Sequence, residues 1–236
     1  MPGRVLMLPR SGDQEPELDR RMAIEDEATD SLNDGLMLLL ALLMSRGRDG
    51  LARAASTGMP SDGLSGALRK TLELGLVAGA SLAEDQLRLA DVSVNRHHVG
   101  AMQSQWVDST IITQAALINA TTARVIREKL IEMEEGGHSL AWLESQLLDY
   151  FGRERAGRIA ATEVTRSYVW GALSAYLASN VVQEVMWLTA NDEMVCKICR
   201  PLHGRRVPLG QGFGLIGYPP AHVQCRCSVV PVVSLS

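Results

Sequence analysis

All four cysteines of this chain fall in its last 41 residues, spaced Cys196-x2-Cys199-x25-Cys225-x-Cys227, with His222 three residues before Cys225. A Cys-x2-Cys turn aims two sulfurs at one centre, and a second short pair from a distant segment completes a tetrahedron. The pattern obliges two segments far apart in sequence to converge. Assembly in a reducing cytosol favours metal over disulfide. Five candidates compete for four places: Cys196, Cys199, His222, Cys225 and Cys227. The cysteine quartet is the preferred set. A set in which His222 replaces Cys225 or Cys227 is the alternative, and disulfides or free thiols are a third. Four protein ligands leave no open position for water, so the expected zinc is structural. His203 reads as a loop residue.

Upstream of Val181 the texture differs. Hydrophobic residues make up 46% of the chain but aromatics only 4%, so the core must be built from Leu, Ala, Val, Ile and Met. Such a mixture suits helices better than a sandwich or barrel. An irregular arm is expected over 1–16. A helix follows from Glu17 to Ser45, with a break at Asn33-Asp34-Gly35. Gly47 to Gly63 reads as a loop, because five of its positions are Gly or Pro. Ser61 or Asp62 caps the next helix, with Leu64, Leu68, Leu72 and Leu76 at helical spacing. Inside it, Gly75 and Gly79 lie four apart, a spacing that reads equally as a weakened helix centre or as a place where another helix approaches closely.

Asp91 to Gly100 reads as a break holding a solvated His97-His98 pair. Gln105 to Glu135 reads as a helix whose apolar set includes Ile112, Ala116, Ile118, Ile126, Leu130 and Met133. Ser139 caps a short helix carrying Leu140, Leu143, Leu147 and Leu148. A last helix spans Arg153 to Ser179, burying Ile159, Val164, Tyr168, Ala172 and Tyr176. From Val181 to Trp187, and again over 226–233, the alternation is strand-like. The fold class is therefore mainly α: an arm over 1–16, a long-helix body over 17–180, and a β-rich Cys/His cap over 181–236.

The longest apolar run, Leu36 to Met44, is nine residues, against about 20 for a membrane helix. Val5 to Leu8 is too short for a signal-peptide core. Residues 1–35 carry nine acids against four arginines, whereas after Glu193 there is no acid and Lys197, Arg200, Arg205, Arg206 and Arg226 are all basic. Opposite signs at the two ends suggest two different surfaces. A basic cap also raises the alternative of a zinc-stabilised nucleic-acid-binding module. Its stacking groups would be Trp187, Phe213 and Tyr218. No zinc-protease, deaminase, nucleophile-elbow or phosphate-loop motif is present, so no catalytic residue is expected.

Three stretches carry a family resemblance. They are the helix Arg158-Ile159-Ala160-Ala161-Thr162-Glu163, the strand-turn Trp187-Leu188-Thr189-Ala190-Asn191-Asp192 leading to Cys196-Lys197-Ile198-Cys199, and the segment Pro219-Pro220-Ala221-His222-Val223-Gln224-Cys225-Arg226-Cys227. In this order they resemble the head-morphogenesis family of tailed phages, typified by the minor head protein F of phage Mu. The resemblance covers about residues 105–232, and 1–100 carry no motif of it. Ala161 stands where the family usually has arginine. The resemblance implies a minor capsid protein of the virion, present in several copies and made in the host cytoplasm. It further implies a place near the portal or head interior, with portal or major capsid protein as partner and packaged DNA as a possible contact. Glu163 is expected to join this helix to the cap by a buried hydrogen bond.

Overall fold

A computed structural model of the chain describes residues 4–5, 15–189 and 195–235. The expected arm over 1–16 and the strand-turn residues 190–194 lie largely outside the described residues. Six helices come first: α1 (Glu15–Met44), α2 (Gly47–Thr57), α3 (Asp62–Arg88), α4 (Arg96–Glu135), α5 (Leu140–Phe151) and α6 (Arg153–Ser179). A small sheet follows, ordered β3 (Arg206–Pro208), β2 (Glu184–Leu188), β4 (Ser228–Val232), with both pairings antiparallel. Arg4–Val5 (β1) pairs antiparallel with Ser234–Leu235 (β5). The mainly helical class with a small C-terminal β cap is thus the observed one, and no described helix is long and apolar enough to cross a membrane.

Two compact units divide the chain. The first contains residues 1–25, 72–106 and 161–236, and the second residues 26–71 and 107–160. In the second, α1 runs unbroken through Asn33-Asp34-Gly35. Gly35 serves close approach instead: a Cβ there would lie 3.1 Å from the Gly63 carbonyl oxygen and from the Ala67 Cβ. The segment expected as a loop over 47–63 holds α2. Its glycines punctuate rather than dissolve it. Gly47 (φ +63°) opens the helix and Gly58 (φ +132°) follows its last residue, both in conformations that favour glycine. Burial of Leu51, Ala54 and Ala55 then overrides the weak propensity of Gly50.

α4 begins at Arg96, nine residues before the expected Gln105. The Asn95 side chain accepts the His97 and His98 amides at 3.1 and 3.2 Å, capping it. His97 and His98 are solvated, but on a helix. The expected apolar face of α4 is half right. Ile126, Leu130 and Met133 are buried, together with Val107, Ile111 and Ala115, while Ile112 is 73% exposed. A 40-residue helix allows two registers of apolar stripe where Ile111 and Ile112 adjoin, and packing chooses the one holding Ile111. In α5, Ser139 caps as expected, accepting from the Trp142 amide at 3.2 Å. Leu143 and Leu147 are buried there, and Leu140 and Leu148 are exposed.

In the first unit α3 and α6 meet backbone to backbone. A Cβ on Gly79 would stand 1.9 Å from the Tyr168 carbonyl oxygen, and one on Gly75 would stand 2.0 Å from Ser167 Oγ. From the other side, a Cβ on Gly171 would stand 2.3 Å from the Leu76 carbonyl oxygen. The helix-approach reading of Gly75 and Gly79 is the one realised. Beside the contact lies a core of Leu87, Val169, Leu173, Tyr176, Val185 and Trp187, and Tyr176 Oη donates to Gln86 at 2.6 Å. Gly79→Ala should therefore lower the unfolding free energy by about 3 kcal/mol through overpacking. Gly66→Ala, where a Cβ meets nothing within 4 Å, should raise it by about 0.5–1 kcal/mol. Chemical denaturation of the two variants checks both signs.

Candidate metal centre

The cap is built on β2. Its alternation places Val185 and Trp187 inward, opposite Pro231 and Val229 of β4. Trp187 is fully buried, and Phe213 meets it edge to face at 5.1 Å. Tyr218 meets Phe213 in the same way at 6.1 Å. Pro231 is tolerated because β4 is an edge strand. These three rings, the only stacking groups open to the nucleic-acid alternative, are taken up by the cap's core, with Trp187 and Phe213 inside it and Tyr218 packed against it. Thr189 is buried, and Nδ1 of His203, exposed on its loop, meets the Thr189 hydroxyl at 2.8 Å.

The Cys196–Cys199 turn is closed by the Cys199 amide, which donates to Cys196 Sγ at 3.3 Å, and by the Arg200 amide, which donates to the Cys196 carbonyl at 3.0 Å. Facing it is the segment from His222 to Cys227. His222 Nε2 lies 3.0 Å from Cys196 Sγ and 3.3 Å from Cys199 Sγ, and its Nδ1 is 2.8 Å from the Val223 carbonyl. With the proton on Nδ1, the Nε2 lone pair points at the two sulfurs, the arrangement usual in a metal-bound imidazole. Cys199 Sγ is 3.8 Å from Cys225 Sγ. That is about the edge of a tetrahedron with sulfurs about 2.3 Å from a central ion.

All five sequence candidates are thus brought together, in two overlapping groups able to hold a metal ion. One is Cys196, Cys199 and His222; the other is Cys199, Cys225 and Cys227. Cys199 belongs to both. All four cysteines are free thiols. The donor chemistry, soft sulfur with one imidazole in a small cluster, fits a zinc-like ion.

The thiols do not share charge evenly. A hydrogen bond from Cys227, outweighing burial, together with the Cys227 and Ala221 amides, pulls Cys225 down to about 5. The same contact, with burial, holds Cys227 far above its ordinary value. Burial and the neighbouring Cys225 charge push Cys199 up to about 12. Burial also opposes ionisation of Cys196, yet the amides of Cys199 and Ile198 hold it below the usual thiol range. His222 is lifted, against its own burial, by the Val223 carbonyl and the Cys225 and Cys196 sulfurs.

Residues 67–230 match the family described as Phage Mu protein F like protein. This chain belongs to that family. The match spans more than half of the chain, takes in the whole Cys/His cluster, and starts well before the residues that carried the resemblance. It bears out membership of a phage head-morphogenesis family. No curated protein and no solved structure matches the chain.

Three residues of α6 have roles that the sequence did not reveal. Glu163 is buried, but it bonds Arg166 Nε at 2.9 Å within α6 rather than reaching the cap. Burial raises its carboxyl above the ordinary range and Arg166 opposes this. Thr162 and Thr165 reach the cap instead. Thr162 Oγ1 accepts the Gln224 amide at 3.0 Å, and Thr165 Oγ1 donates to the Cys225 carbonyl at 2.6 Å. Two threonines one turn apart on the helix were the available signal. Ala161, the departure from the family pattern, is buried.

The uneven sharing of charge is measurable. In reduced, metal-stripped protein, ultraviolet absorbance should report a thiolate at neutral pH that disappears as pH falls through about 5. Cys225→Ser should remove that transition.

Proposed function

We propose that this chain is a minor, non-catalytic structural protein of a tailed-phage head. In this reading it joins the head during assembly, near the portal or the head interior, and is present in several copies. Packaged DNA is a possible further contact. The observation that carries the reading is the family match over 67–230, with the Cys/His cluster inside it. The expected division of labour is a helical body over 17–180 that provides docking surfaces and a cap over 181–236 that is cross-linked internally.

Within the cap we propose one structural zinc ion held by Cys196, Cys199, His222 and Cys225, with Cys227 stabilising Cys225 by hydrogen bonding. The His222 distances to both sulfurs of the first pair support His222 over Cys227. When bound, the ion supplies a cross-link and no open position for water. The chain's own contribution is to hold Cys225 as a thiolate and to orient His222 through the Val223 carbonyl.

A second reading, a nucleic-acid-binding module, draws on Lys197, Arg200, Arg205 and Arg206, all exposed on the cap. It is weakened by Arg226, which lies 3.6 Å from Glu25, and by the burial of Trp187 and Phe213, which leaves them no face for bases.

Elemental analysis of the purified chain should find one zinc per chain, and Cys199→Ser should lose it together with cooperative unfolding of the cap. Zero metal with two disulfides would overturn the metal reading. Pull-down by the cognate portal protein should retain the chain, and absence of any complex across salt concentrations would count against portal docking. Duplex DNA binding with a steep salt dependence would favour the second reading.

A further inference from the structure

The segment that carries His222 and Cys225 is fixed from outside by groups that touch no sulfur. Thr165, fully buried on α6, donates to the Cys225 carbonyl and accepts from Arg21 Nη2, both at 2.6 Å. Arg21, on α1 and 3% exposed, also donates through Nη1 to the Arg226 carbonyl at 3.3 Å. Its guanidinium lies 5.0 Å over the Tyr168 ring, and Tyr168 in turn donates to Glu17 at 2.9 Å. Glu25, one helical turn beyond Arg21, reaches Arg226. Thr162 accepts the amide of Gln224, whose φ of +60° is a conformation that a non-glycine residue holds only when its surroundings impose it.

The backbone on both sides of Cys225 is therefore pinned: the 224 amide and the 225 carbonyl by α6, and the 226 carbonyl by α1. A ligand loop left free would have to be ordered when it binds an ion, and that ordering would subtract from affinity. Here residues 17–25 of α1 and the two threonines of α6 supply the order in advance.

We infer that Arg21 and Thr165 are positioning residues for the metal centre, and that ion binding and docking of residues 17–25 against the cap are one coupled event. The inference rests on the metal reading above. By linkage, whatever the docked segment adds to zinc affinity, zinc returns to docking of the segment. The negative charges of Glu17 and Glu25 belong to the acid-rich start of the chain. The metal would thereby decide whether that start is held against the cap or released for another partner.

The test uses full-length protein and Zn(II) in competition with a chromophoric chelator. Thr165→Val and Arg21→Met should each weaken zinc binding on the order of 10- to 100-fold, as loss of partners outside the ligand set does elsewhere. Arg21→Lys, which keeps a donor, should recover part of the loss. Hydrogen exchange on the unaltered chain, which requires no variant to fold, should show the amides of 17–25 protected with zinc and loosened after chelation.

If the unaltered chain binds no zinc, the metal reading fails and the coupling with it. If it binds zinc but both variants bind within about twofold of it, the coupling alone is overturned. Equal exchange of 17–25 with and without zinc would also overturn the coupling while leaving the metal centre in place.

Discussion

The contact on which the first unit depends is the approach of α3 and α6 at Gly75, Gly79 and Gly171. Three positions without a Cβ let the two backbones touch, and nothing larger than hydrogen fits where Gly79 faces the Tyr168 carbonyl. With that spacing set, Tyr176 reaches Gln86 and the apolar sides of both helices close over Trp187. The same rotation of α6 turns Thr162 and Thr165 toward the His222–Cys227 segment. One helix thus provides the wall of a core and the backing of the candidate metal centre.

The cap buries Val182, Val185, Trp187, Leu202, Phe213, Val229 and Val233 in a core shared with α3 and α6. Its strands are short and its connections rich in glycine and proline. Ordering such connections costs about 1–2 kcal/mol of backbone entropy per residue. The Cys196 turn and the Cys225 segment face one another between those connections. The thiols differ in how readily they ionise: hydrogen bonding from Cys227 favours the Cys225 thiolate, while burial and the neighbouring Cys225 disfavour ionisation of Cys227 and Cys199.

Much of this was legible in the residues. Cysteine spacing and His222 identified the cluster, leucine spacing identified α3, and Ser139 marked the start of α5. What escaped depended on tertiary context. Glycines at 47 and 58 read as a loop because a sequence does not distinguish glycines that bound a helix from glycines that prevent one. Ile111 and Ile112 are chemically alike, and only the surrounding helices decide which is buried. Glu163 drew attention as the acidic residue of its motif, yet its partner lies one turn away on the same helix. Arg21 was counted among the charges of an acidic end and nothing more. Its burial against Thr165 joins positions 144 apart in sequence, a separation that local pattern does not span.

That separation also bears on how quickly the chain can reach its native state. Arg21 meets the carbonyl of Arg226 across 205 positions. Helices of this kind form in about a microsecond, but a contact of that span must first bear the entropy of closing a very long loop. Folding of a protein rich in helix would ordinarily be fast because its contacts are local. Here the closing contact is not local: α1 and the backbone at Arg226 meet across most of the described chain. The entropy of that closure is a cost that helix formation by itself does not meet.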